Sequence, residues 1–166
     1  TPAEHDMPLT DKGHKEAEAV RDYFLAHKID LKAIYASTYV RATETAQATA
    51  EAFGLEVYTD TDLCERRWGM MGKGTWQEVV ASLDRMTLGE RYTFVPEGGE
   101  SWAQMEARAR GVVDEILKNE AGDVAVFTHG GLLRGLLPAL VGVDKSQHEE
   151  YTIQSGGIVR FDSNSK

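Results

Sequence analysis

DVAVFTHGG, residues 123–131, is the stretch whose reading decides the fold. Val124 to Phe127 form an apolar run with no polar face, which predicts a fully buried strand. The chain then presents Thr128 and His129 and turns on Gly130 and Gly131. LLRGLLPALVG follows and reads as a short apolar helix. A strand that empties into a glycine-rich turn at a helix start brings free backbone N–H groups and the positive end of the helix dipole together. That is an anion-binding arrangement of α/β proteins. The imidazole at its tip adds a donor or proton carrier near neutral pH.

Working outward, strands and helices alternate. Thr10 is placed to cap a helix over 11–27, with Ala17, Val20 and Phe24 on one face. AIYAS, 33–37, reads as a strand. Ser37 or Thr38 is expected to cap a second helix, VRATETAQATAEAF, which Gly54 ends. Ala42, Ala46, Ala50 and Phe53 line its inner face. EVYT, 56–59, alternates like a strand, and a loop then carries CERRWGMMGKG. Thr75 with Glu78 makes a capping box for the next helix, 87–100 reads as loop, and Ser101 with Gln104 opens a long helix to about Asn119. Met105, Ala109, Val112 and Ile116 face inward from it. GIVRFD, 157–162, reads as a last strand. The alternation predicts one α/β domain over 1–166 with a mainly parallel sheet. Ligands bind beyond the carboxyl ends of such strands. Three polar clusters, STYVR, CERRWG and THGG, lie there.

The 166 residues carry 18 basic against 27 acidic side chains, a net charge of −9. That balance argues against nucleic acid or an acidic membrane surface as partner, which needs a basic face. A few arginines can still build a local pocket for a small anion. Cys64 is the one cysteine, so no intrachain disulfide framework exists. No metal-ligand spacing appears, and His5, His14, His27 and His148 lie in polar contexts that predict solvent exposure. No signal peptide is visible, and no apolar run reaches the ~18 residues that would span a membrane. A cytoplasmic location is the expectation.

Arg41 falls in the first turn of the second helix, four residues after Ser37. A guanidinium there is either a surface group or a fork for phosphate oxygens. The helix dipole gives it nothing at that end. Glu65 is either part of a solvated charge cluster with Arg66 and Arg67 or a general acid. A general acid must hold a proton near operating pH, which desolvation or a neighbouring anion provides. His129 either closes its strand through backbone hydrogen bonds or faces a ligand that the flanking glycines admit. Glu100 and Ser101 are read as helix-capping residues. Trp68, Met70, Met71 and Trp76 line an apolar leaving-group pocket or serve as core and lid packing.

PLTDKG at 8–13, ASTYVRATETA at 36–46, LCERRWG at 63–69, PEGGES at 96–101 and FTHGG at 127–131 occur in an order that resembles the histidine phosphatase superfamily, the phosphoglycerate-mutase-like proteins. The resemblance implies a three-layer α/β/α sandwich and phosphoryl chemistry through a phosphohistidine, with neither metal nor other cofactor. It implies that Arg41 clamps phosphate, that Glu65 protonates the leaving oxygen and that His129 stabilises the phosphoryl group. Gly130 and Arg66 are expected to contact substrate. The implied partners are a small phosphorylated metabolite and inorganic phosphate. Only about 30 residues separate Glu65 from Pro96, where mutases of the family tend to carry an insertion, so a hydrolase is expected over a mutase. A non-catalytic phosphate-binding relative is the other alternative, because the family's Arg-His-Gly motif, whose histidine is the nucleophile, is absent from 1–166. His5 does not replace it: no Arg precedes it and no Gly follows. The expectation is a preceding segment that carries the motif on a central strand; residues 1–166 alone would then be inactive.

Overall fold

LKAIYAS forms strand β1, Leu31–Ser37, at the centre of a three-stranded sheet in the computed structural model, which describes residues 6–144 and 151–162. The order is β2-β1-β3, with β2 at Val57–Asp60 and β3 at Asp123–Phe127. Both pairings are parallel: Ala36 lies opposite Thr59 on one side and Phe127 on the other. The helices are α1 (Asp11–Ala26), α2 (Val40–Phe53), α3 (Trp76–Leu83), α4 (Leu88–Thr93), α5 (Trp102–Asn119) and α6 (Gly130–Val141). Parallel neighbours require crossovers: α2 lies between β1 and β2, and α3, α4 and α5 lie between β2 and β3.

The helices form two layers around the sheet. Ala46 and Ala50 of α2 pack on Leu31, Ile34, Ala36 and Ala125, with Phe24 of α1 at the margin. The small side chains let α2 approach the sheet closely. On the other face, Val112 and Ile116 of α5 meet Leu63, Tyr35 and Val124. α6 packs on α5 through Leu132, Leu136, Met105 and Ala109. The result is the α/β/α sandwich with a parallel sheet expected above.

Local signals mostly hold. Thr10 caps α1 by accepting the Gly13 N–H, and Gly54 ends α2 in the left-handed region. Capping boxes open α3 at Thr75/Glu78 and α5 at Ser101/Gln104. The apolar faces of α1, α2 and α5 are the ones read from periodicity.

Four expectations are corrected. β3 is not fully buried: Ala125 is covered, whereas Val126 is exposed. β3 is a sheet edge that pairs only with β1 among the described residues, so it is less covered than β1. Residues 157–162 join no strand among the described residues, and Ile158, Val159 and Phe161 are exposed. Their β propensity finds no ladder to enter. Residues 88–93 are helical, opened by a capping box of Thr87 and Glu90; six residues are too few to show an apolar period. Neither Ser37 nor Thr38 caps α2, whose N-cap is Tyr39. The Val40 N–H is taken instead by the Asp6 carboxylate at 2.7 Å. The Ser37 hydroxyl is engaged elsewhere.

His14 and His27 are exposed as expected, and His5 and His148 lie outside the described residues. No helix among the described residues is long and apolar enough to cross a membrane.

Candidate active site

The carboxyl ends of β1 and β3 place Ser37 and His129 side by side. His129 is 7% exposed, and its Nε2 lies 2.8 Å from Ser37 Oγ. Tyr39, two residues after that serine, sets its ring 5.2 Å from the imidazole. The Arg41 guanidinium stacks on the same ring at 4.6 Å. Tyr39 therefore bridges the two residues, and Arg41 and His129 occupy the same edge of the sheet. Burial first, then the charges of Arg41 and Arg108, lowers the His129 pKa to about 3. The imidazole is neutral at physiological pH.

Glu65 joins this cluster through backbone hydrogen bonds. Its Oε2 accepts the Gly131 N–H at 2.9 Å, and its Oε1 accepts the Arg66 N–H at 2.8 Å. The carboxylate thus sits against the N-terminal turn of α6, where the helix dipole favours negative charge. Glycine at 131 is required for this approach: a Cβ there would lie 2.7 Å from the Glu65 Cδ. Gly130 is the first residue of α6 and is exposed. Its N–H belongs to the first-turn groups that lack a helical acceptor. Arg41, Glu65, His129 and Gly130 therefore share one edge.

Arg66 does not. It is 1% exposed, and its Nε donates to the Glu100 carbonyl at 3.0 Å and its Nη2 to the Phe94 carbonyl at 3.3 Å. The guanidinium lies 4.2 Å from the Trp68 ring and 5.0 Å from the Trp102 ring. Burial lowers its pKa to about 10, against the pull of Glu100 and Glu65. The expectation that Arg66 contacts substrate is corrected: its charge faces inward and pins the loop. Two aromatic planes and two carbonyls form a better-matched partner set than the open cleft.

Sequence reasoning missed the residues that hold Glu65 in place. Glu100 is not a helix cap but the hub of a buried ion-pair cluster. Arg108 Nε and Nη2 contact its two oxygens at 2.9 and 2.7 Å, and the Arg67 N–H donates at 2.9 Å. Burial alone would raise the Glu100 pKa, but the Arg108 and Arg67 hydrogen bonds outweigh it and the net shift is downward. Arg108 also reaches the Glu65 carbonyl at 3.2 Å and the Asp62 carbonyl at 2.6 Å. The PEGGE loop and the loop after Cys64 are pressed together at Gly69, whose φ is +56°. A Cβ at Gly69 would meet the Gly98 carbonyl carbon at 2.5 Å, so only glycine fits. The sole sequence sign of this cluster was Arg108 beside the buried Ala109.

An open cavity of about 450 Å³ adjoins the cluster, lined by Tyr39, Arg67, Gly69, Met70, Lys73, Glu97 and Gly98. Of the four apolar candidates, Met70 lines it, whereas Trp68 is buried against Arg66 and Trp76.

His129 makes the stability depend on pH. Its folded pKa of about 3 lies below the ordinary histidine value, so between roughly 6.5 and 3 the unfolded chain binds more protons. The stabilisation is complete above that window and is lost as pH falls through it, at up to about 1.4 kcal/mol per pH unit. Urea unfolding at pH 7, 6 and 5 should show a shallower decline in His129→Asn than in the parent; equal slopes contradict a neutral buried imidazole.

The family model for the histidine phosphatase superfamily (branch 1) matches residues 2–166. The chain belongs to that superfamily. It is 34% identical over 139 residues to phosphoglycerate mutase-like protein 4 of Arabidopsis thaliana, covering 79% of this chain and 59% of that protein. It is 30% identical over 146 residues to phosphoserine phosphatase 1 of Hydrogenobacter thermophilus, covering 86% and 68%. The fold superposes on mycobacterial glucosyl-3-phosphoglycerate phosphatase in complex with inorganic phosphate. The TM-score is 0.76 at 28% identity, over 90% of this chain and 77% of that one. The chain thus spans less than two thirds of the plant relative's length.

Proposed function

We propose that the protein is a phosphomonoesterase of the histidine phosphatase type, acting on a small phosphorylated metabolite and releasing inorganic phosphate. The observation that carries this reading is the convergence of Arg41, Glu65 and His129 at the carboxyl ends of β1 and β3. In the proposed reaction the nucleophilic histidine of the family's Arg-His-Gly motif attacks phosphorus. The phosphorus–oxygen bond to the leaving group breaks, and Glu65 delivers a proton to the departing oxygen. Water then attacks the phosphohistidine and gives a proton to the Glu65 carboxylate, the phosphorus–nitrogen bond breaks, and phosphate leaves with the acid restored. Arg41, His129 and the Gly130 amide stabilise the equatorial oxygens. Such stabilisation is most of what phosphoryl transfer asks of a protein. The leaving group occupies the cavity beside Tyr39 and Met70. Residues 1–166 are read as one domain.

The short span between Glu65 and Pro96 supports hydrolysis over isomerisation. The test is phosphate release from phosphoserine and from 4-nitrophenyl phosphate by protein that carries the Arg-His-Gly segment. Turnover that His129→Ala abolishes is the expected result. Isomerisation of phosphoglycerate without net phosphate release would replace the hydrolase by a mutase, and phosphate binding without turnover would remove the catalytic reading.

A further inference from the structure

We propose that Arg67 and Lys73 form a carboxylate subsite, so that the preferred substrate is a phosphomonoester whose leaving group carries a carboxylate. The inference rests on the phosphatase reading, which fixes where the leaving group starts. Glu65 protonates the departing oxygen, so that group begins beside Glu65. It extends past Tyr39, whose ring stands 5.2 Å from the His129 imidazole and also lines the open cavity. Arg67 and Lys73 line the same cavity, with Glu97 as its one carboxylate. This excess of cations lies in a chain whose net charge is −9.

Arg67 is fixed by its backbone and keeps its charge for a ligand. Its N–H donates to Glu100 Oε1 and its carbonyl accepts the Glu100 N–H, both at 2.9 Å. The side chain is nevertheless 64% exposed. Its Nη2 lies 3.2 Å from Glu100 Oε2, but the Glu100 charge is already matched by Arg108, which contacts both oxygens at 2.9 and 2.7 Å. Arg67 therefore brings a surplus positive charge. Its side chain makes no other hydrogen bond among the described residues, which leaves N–H groups to fork onto a carboxylate. Lys73 ends the short 3₁₀ turn Gly69–Lys73, and neither it nor Glu97 enters an ion pair among the described residues. The two walls of the cavity are clamped to each other where the Met70 N–H donates to the Glu97 carbonyl at 2.8 Å. A preformed subsite of this kind spends little on ordering when a ligand enters. Two cations and one carboxylate leave a single positive charge, which complements a carboxylate and not a phosphate dianion.

The test compares phosphomonoesters that differ in the carboxylate: O-phosphoserine against O-phosphoethanolamine, and 3-phosphoglycerate against glycerol 3-phosphate. In protein that carries the Arg-His-Gly segment, kcat/KM should be about 10- to 100-fold higher for the carboxylate member of each pair, the range that hydrogen bonds to a charged group supply. Arg67→Gln should remove most of that preference in both pairs, and Lys73→Gln part of it. The ratio within a pair is the readout, because a loss of folded protein lowers both members alike and cancels. Calorimetric titration with 3-phosphoglycerate and with glycerol 3-phosphate reads the same preference as Kd, without turnover. Equal values within the pairs, or a preference that survives Arg67→Gln, overturn the subsite, and a preference untouched by Lys73→Gln overturns the share given to Lys73. Preference for fructose 1,6-bisphosphate over 3-phosphoglycerate overturns the carboxylate assignment in favour of a second phosphate. Selective binding of 3-phosphoglycerate that Arg67→Gln abolishes, in a wild type that releases no phosphate, upholds the subsite and overturns only the phosphatase reading.

Discussion

Glu65→Gln is expected to lower kcat on alkyl phosphates by about 10²- to 10⁴-fold, the span that general acid catalysis covers, with KM little changed. Glutamine keeps one oxygen for the Gly131 N–H, which Glu65 Oε2 takes at 2.9 Å, and gives up the bond that Oε1 accepts from the Arg66 N–H at 2.8 Å, so the unchanged KM is the check that the loop stays in place. What it loses is a transferable proton. An alkoxide is a poor leaving group without that proton, whereas 4-nitrophenolate leaves unaided. The loss should therefore be much smaller on 4-nitrophenyl phosphate. Steady-state kinetics over leaving groups of graded basicity measure this directly. A uniform loss across the series would mean that Glu65 holds the pocket together rather than acting as the acid.

Glu100→Ala is expected to destabilise the fold by about 3–5 kcal/mol, because it leaves a buried cation without its partner. The Arg108 side chain is 12% exposed and that of Glu100 is 2% exposed, at 2.7 Å from each other. Arg67, at 64% exposure, contributes little through its own ion pair because water screens it. The cost falls on Arg108 and on the Arg67 N–H. The sign of the pH effect follows from the lowered Glu100 pKa. The stabilisation is present above the ordinary carboxylate value, about 4.3, and is lost as pH falls through the lower folded value. Urea unfolding at neutral pH measures the first effect, and a loss under about 1 kcal/mol would contradict the burial argument. Below the unfolding transition, turnover should also drop, because Arg108 holds the Glu65 carbonyl and the freed loop carries the acid away from Gly131.

How far the sequence alone reaches depends on the range of the interaction read. Thr10, Thr75 and Ser101 lie within three residues of the N–H groups they cap, so these helix starts were legible. The faces of α1, α2 and α5 follow from a period that one segment carries by itself. β3 misled the reading because burial is a property of neighbours: the apolar run VAVF says nothing about whether a second strand lies beside it. GIVRFD failed for the same reason. Helix α4 was missed because six residues do not complete a pattern.

The site divides along the same line. Chain order and the strand-end positions of Arg41, Glu65 and His129 were enough to place them on one edge, since in a parallel sheet all strands deliver their carboxyl ends to the same side. Only the tertiary structure decided that Arg66 turns inward between two tryptophans, that Glu100 is an ion-pair hub instead of a cap, and that Ser37 meets His129 across 92 residues of sequence. A backbone's direction is set by local torsions and periodicity, which the sequence states. A side chain's partner is set by whatever group another segment brings within about 3 Å, and no local pattern encodes that distance.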